Sequence, residues 1–148
     1  MPATRFAALL VIGCLALPGT LFGQTAAQTA SNWGLLGEWR RECQSPIADG
    51  NPSYLYLVRN GQLFLDRDFA ASGTDSSLLS GVRKTAGGDI EYVIQFTSLA
   101  HRQHLNAKSG DSRMRVISNK NLQTGEASVV DGKFTDGGQV TPWLNRCR

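Results

Sequence analysis

Hydrophobic and polar residues alternate along much of this chain. Ile90, Tyr92, Ile94 and Phe96 are interleaved with Glu91, Gln95 and Thr97. Successive side chains of a strand point to opposite faces, so this segment predicts a strand with one buried face. Other short apolar runs lie between turn dipeptides: Asn60-Gly61, Gly87-Gly88, Ser109-Gly110, Asp131-Gly132 and Gly137-Gly138. Strands at this spacing predict an all-β sandwich or barrel. Beyond the first thirty residues no segment keeps a helical apolar period.

Three hairpins can be placed. Tyr54–Arg59 and Gln62–Asp66 flank Asn60-Gly61, a pair suited to a two-residue type I′ turn because both positions need positive φ. That turn sets Val58 against Leu63, Leu57 against Phe64 and Tyr56 against Leu65. Both faces of the hairpin are apolar, so the outer one is either covered by Trp33–Leu36 or left open to bind something. Leu78–Lys84 and Ile90–Thr97 form the second hairpin. Matching faces pairs Val82 with Tyr92, Ser80 with Ile94, Leu78 with Phe96 and Arg83 with Glu91, with Gly87 or Gly88 in the left-handed position. The third joins Arg102–Ala107 to Ser112–Ser118, with Leu105 expected opposite Met114. Its other face then collects Arg102, His104, Arg113 and Arg115. Ala127–Val130 turns at Asp131-Gly132 into Lys133-Phe134, and the tail Thr141–Cys147 packs Trp143 to close the structure. From Leu36–Cys43 onward this makes about eight strands in meander order.

The N-terminal segment has a different pattern. Arg5 precedes an apolar run from Phe6 to Leu17, which Pro18-Gly19 ends before a stretch of small residues through Ala30. The run is shorter than the roughly 20 residues a membrane span needs. It reads as a secretory signal peptide cleaved after Ala27 or after Ala30. Val11-Ile12-Gly13-Cys14 loosely resembles a lipobox, but the apolar run continues past Cys14, which favours plain cleavage. The expected layout is a signal peptide over 1–27 and a single domain over 28–148.

Loss of the leader removes Arg5 from the 15 Lys+Arg, against 12 Asp+Glu. The remaining net charge of +2 is too weak to imply nucleic acid, and nothing after the leader is apolar enough to cross a membrane. Cys43 and Cys147 remain, and two cysteines in an exported chain imply one disulfide. It would close a loop worth about 4.7 kcal/mol in the chain-entropy model. Periplasmic or extracellular localisation follows from the same two features.

Gly37-Glu38-Trp39, preceded by Leu35-Leu36, opens the first strand. A G-x-W at that place, followed by an up-and-down meander, resembles the lipocalin-like (calycin) barrels. The resemblance covers the topology of the domain, while its motif rests on three residues. A second motif of the T-D-Y type is absent, and the chain is shorter than a typical lipocalin. The resemblance implies that Trp39 plugs the closed end of a small antiparallel barrel and that Arg146 or Arg148 stacks on it. Closure would also remove the sheet edges that a small β domain otherwise exposes.

Candidate chemistry is sparse. His101 and His104 form an H-x-x-H, but residues three apart on a strand face opposite ways, so solvated surface histidines are the expectation. Gly110-Asp111-Ser112 matches the opening of a hydrolase motif, yet a type I turn explains these residues and no histidine follows them. Asp66 and Asp68 with Arg67 between them read as a soluble strand edge. Asp49-Gly50-Asn51 is a turn without calcium-ligand spacing. No nucleophile–base pair or metal set can be named, so neither catalysis nor a cofactor is expected.

Two sets could bind. Arg102, His104, Arg113 and Arg115 form either a solvated face or a strip for an anionic component of the cell envelope. Tyr54, Tyr56, Tyr92 and Phe96 either pack a filled core, the simpler expectation in so small a barrel, or line a pocket for a small apolar ligand. The functional expectation is a non-catalytic binding protein for a small apolar or amphipathic ligand. The alternative is a protein–protein interaction module of the envelope, an accessory factor or a secreted inhibitor.

Overall fold

The computed structural model describes residues 24–148. The apolar run Phe6–Leu17 and Cys14 lie outside the described residues. Ten strands follow one helix: α1 (Ala26–Trp33), β1 (Gly37–Arg40), β2 (Ser53–Arg59), β3 (Gln62–Asp68), β4 (Thr74–Lys84), β5 (Ile90–Gln95), β6 (Arg102–Ser109), β7 (Arg113–Asn121), β8 (Ala127–Val130), β9 (Lys133–Phe134) and β10 (Leu144–Arg146). All neighbours pair antiparallel. β1 to β7 run in meander order, and β10 pairs with both β7 and β1. These eight strands make a closed barrel, one of the two architectures that the strand spacing predicts and the one that the resemblance implies. β8 and β9 extend from the far half of β7 as a side flap.

The first hairpin has the expected register, Val58↔Leu63, Leu57↔Phe64 and Tyr56↔Leu65, with Asn60 and Gly61 both at positive φ. Asp131-Gly132 makes the same kind of turn between β8 and β9. The second hairpin keeps Arg83↔Glu91, and Arg83 donates twice to one Glu91 carboxylate oxygen. Its other pairs shift by one: Leu79, not Ser80, faces Ile94, and Leu78 faces Gln95. A bulge between Ser80 and Arg83 adds a residue there, with Gly81 at φ +59. Leu79 therefore turns into the core and Leu78 turns outward beside Phe64.

The third hairpin departs further. It turns at Gly110-Asp111-Ser112, so Lys108, not Leu105, pairs with Met114. A bulge also lies opposite Leu105/Asn106. Paired residues share a face, so Arg113 and Arg115 go with Ser109 and Ala107, while Arg102 and His104 go with Asn121 and Asn119. The four basic residues expected on one strip occupy two opposite faces.

The barrel has unlike ends. The turns after β2, β4 and β6 lie at one end, where α1 crosses it. The Trp33 indole N–H donates to the Gly88 carbonyl, 2.7 Å away, and the Lys108 ammonium donates to the Trp33 carbonyl at 3.0 Å. α1 was not foreseen, because its buried contacts are only Ala30 and Trp33, too few to give a periodic signal. A capping box between Thr25 and Gln28 starts it, and Gly34 in the left-handed conformation ends it. Trp33 and Leu35 join the core instead of covering the outside of the first hairpin. Trp39 is buried at 1 % exposure. Its indole donates to the Leu35 carbonyl at 2.7 Å, and the Arg146 guanidinium lies 5.9 Å from its ring.

The seam closes through β10. Leu144 and Asn145 pair with Met114 and Arg113 on one side, and Asn145 and Arg146 with Arg40 and Trp39 on the other. Thr141 fills the stretch of β7 that β10 does not reach, its hydroxyl donating to the Val116 carbonyl at 2.6 Å. Cys43 and Cys147 are disulfide-bonded, with Cα atoms 5.3 Å apart. Arg148 donates to the buried Glu38 carboxylate at 2.7 Å, and Ser53 donates to its other oxygen. Burial alone would raise the Glu38 pKa, but these hydrogen bonds and the Arg148 charge hold it below its ordinary value.

Two predictions concern this end. Gly37 has φ +122, and a Cβ there would overlap the Arg148 carbonyl oxygen. Gly37→Ala is expected to lower stability by about 2 kcal/mol or more, read as a lower urea midpoint. A chain beginning at Ser31 loses buried Ala30 and the carbonyl that accepts from Gly34 and Leu35. It is expected to melt below a chain beginning at Gln28, by about 1–3 kcal/mol. Equal melting of the two would show that α1 does not hold the barrel end.

Candidate functional site

Opposite α1, the barrel is open. The connections after β3 and β5 frame a cavity of about 370 Å³ that runs into the interior. The expected filled core is therefore not what forms. Inward positions of β5 and β6 explain why. Ile90 and Tyr92 fill the lower barrel, but the inward residues of β6 are Arg102, His104 and Asn106, which cannot pack as hydrocarbon.

Phe69, Phe96, Leu99 and Tyr54 surround the mouth, and Leu65, Ile94, Met114, Val116 and Leu144 line the wall. Of the four aromatics expected as core or pocket, Tyr54, Tyr56 and Phe96 line the cavity and Tyr92 lies behind its floor. The Tyr56 and Tyr92 hydroxyls are 2.8 Å apart, and the Asn106 amide donates to the Tyr92 oxygen at 2.6 Å. Burial raises both tyrosine pKa values, that of Tyr92 to about 12. The floor is polar and uncharged.

Charge enters nearer the mouth. His104 stacks on Tyr92 with ring centroids 5.8 Å apart. It is part of the cavity wall and not a solvated surface residue, whereas His101 is exposed. Burial, then the positive charges of Arg67 and Arg102, push the His104 pKa down to about 4. Arg102 donates only to neutral groups, Asn119 at 3.3 Å and Ser128 at 3.4 Å. Arg67 is no soluble edge residue. Its guanidinium lies 4.7 Å from the Phe96 ring and 5.2 Å from the Phe69 ring, and it is ion-paired with Asp75. None of the lining side chains is a carboxylate.

Arg113 and Arg115 sit apart from Arg102 and His104, with guanidinium groups 5.1 and 4.9 Å from the Trp143 ring at the seam. Only Arg115 reaches the cavity edge. Asn106 and Arg67 were missed as site residues, although each was accessible to the same reasoning. Arg67 continues the inward series Leu63, Leu65, and Asn106 continues Arg102, His104.

No family model, no curated protein and no solved structure matches the chain. Among the described residues no helix is long and apolar enough to cross a membrane.

The neutral His104 gives a pH prediction. Its folded pKa of about 4 lies below the ordinary 6.5. Between these values the unfolded chain binds more protons, so stability falls as pH drops from 6.5 toward 4. His104→Gln is expected to flatten that slope, and the imidazole NMR signal of His104 to titrate with a midpoint near pH 4. A midpoint near 6.5 would place the ring in contact with bulk water.

Proposed function

We propose that this is an exported, non-catalytic binding protein of the lipocalin-like kind, holding a small apolar or amphipathic ligand inside the barrel. The cavity is the observation that carries this reading. Its 370 Å³ lies in the range typical of small-molecule sites, which are largely apolar with a few placed polar groups. It equals the share of roughly a dozen waters at about 30 Å³ each, and a mostly apolar wall holds water poorly. The lipocalin-like assignment is supported by the barrel and by the Gly37-x-Trp39 end, with Arg146 beside Trp39. Export is supported by the leader pattern and the disulfide.

A second reading, an envelope interaction module, is favoured by one observation. Leu99 is 67 % exposed and Phe134 40 % at the cavity rim, and Val140, 56 % exposed, lies on the segment bridged to β9. A partner covering that rim would bury them.

Native mass spectrometry of protein purified from its host's envelope fraction tests the first reading. A reproducible small-molecule adduct is expected, lost on denaturation and absent from Val116→Phe, which fills the cavity. A bare protein that also fails to enhance an apolar fluorescent dye would overturn it, and co-purification of a protein partner would then favour the second.

A further inference from the structure

We infer that the cavity takes a two-ended ligand: an apolar chain with a neutral hydrogen-bonding group seated at Asn106 and an anionic group held at the mouth by Arg102. This rests on the cavity being a ligand site, as proposed above.

The floor end follows from a count of hydrogen bonds. Asn106 is 1 % exposed and lines the cavity, yet its side-chain oxygen has no partner. A buried acceptor left unpaired keeps its desolvation cost uncompensated, so a donor from the occupant would stabilise the site. The tyrosine pair adds the converse group. Of the two hydroxyl protons, one forms the bond between the tyrosines, and the Asn106 amide already donates to the Tyr92 oxygen. One hydroxyl proton therefore has no acceptor. A free acceptor beside a free donor matches a group with both capacities, such as an alcohol. An ionised carboxylate fits poorly, because it only accepts and no cation reaches the floor.

The mouth end follows from charge. Asp75 neutralises Arg67, and His104 is uncharged at neutral pH. Arg102 is in no ion pair among the described residues and has only Asn119 and Ser128 as hydrogen-bond partners, and the cavity lining holds no carboxylate. An anion there would gain a charge-assisted hydrogen bond. Arg102 and Asn106 are four residues apart on β6, about 13 Å at the usual rise of a strand. Ile94, paired with Arg102, and Val116, paired with Asn106, line the wall over that span.

Calorimetric titration with ω-hydroxydecanoate, decanoate and decanol tests this, because an extended decyl chain matches that span. The two-ended compound is expected to bind about tenfold tighter than either one-ended compound. Asn106→Leu is expected to weaken ω-hydroxydecanoate and decanol about tenfold and to leave decanoate unchanged. Arg102→Gln, which keeps hydrogen-bonding capacity, is expected to weaken ω-hydroxydecanoate and decanoate and to spare decanol. Tyr56→Phe keeps the ring and repeats the floor test should Asn106→Leu fail to fold. Equal binding of ω-hydroxydecanoate and decanoate by the native protein would overturn the floor assignment, with water serving Asn106. Equal binding of ω-hydroxydecanoate and decanol would overturn the mouth assignment. Failure of all three probes, together with the apolar dye, would instead remove the ligand site itself.

Discussion

Three residues close this barrel. Leu144 to Arg146 are the whole of β10, and each flank of that strand is paired at only two positions. So short a strand contributes little through its ladder alone. The Cys43–Cys147 disulfide ties its C-terminal side to the connection that follows β1. The chain continues to be held past it, since the Cys147 amide donates to Glu38 and the Glu38 amide donates to Arg148. Arg146 leans over Trp39 and donates to the Leu36 carbonyl. Gly37 permits all of this, because only a residue without Cβ lets the Arg148 carbonyl approach so closely. Without closure, β1 and β7 would be open edges and the interior would have no wall on that side.

Closure decides what the interior must tolerate. An open sheet could turn Arg102, His104 and Asn106 to water. In a closed barrel they project inward, and burying them needs partners or space. Asn106 finds one partner in Tyr92, His104 discards its charge and stacks, and Arg102 stays near the mouth where water and neutral acceptors reach it. The cavity is the space these polar groups keep open, and its wall of Leu, Ile, Val and Met keeps it apolar between them. The shape of the site and its electrostatics thus have one origin in a single strand.

Much of the architecture was legible. The period-two alternation of β5 and the Asn-Gly and Asp-Gly turns predict a meander, and the register of β2 with β3 follows from a turn that admits only one. Two registers differ from the expectation, the β4–β5 pair through a bulge and the β6–β7 pair through a displaced turn. At Gly81 the extra residue exchanged Leu78 for Leu79 as the inward group. The late turn at Gly110–Ser112 moved the β6–β7 register, and with it Arg113 and Arg115 left the face of Arg102. Matching apolar faces by eye assumes an unbroken ladder, and a bulge breaks that assumption without leaving a strong mark in the sequence.

What the sequence by itself determined is local. It set the strands, the tight turns, the pairing of Cys43 with Cys147 and the choice of glycine before Glu38-Trp39, because each depends on residue type, side-chain period or backbone φ. Only the tertiary structure decided which face became the inside. His104 and Arg67 read as surface residues until the sheet curled and put their faces within the barrel. The cavity, the unpaired oxygen of Asn106 and the union of Arg102 with Phe96 and Tyr54 arise from strands up to about ninety residues apart. Such proximity is fixed by closure, and closure is a property of the whole sheet.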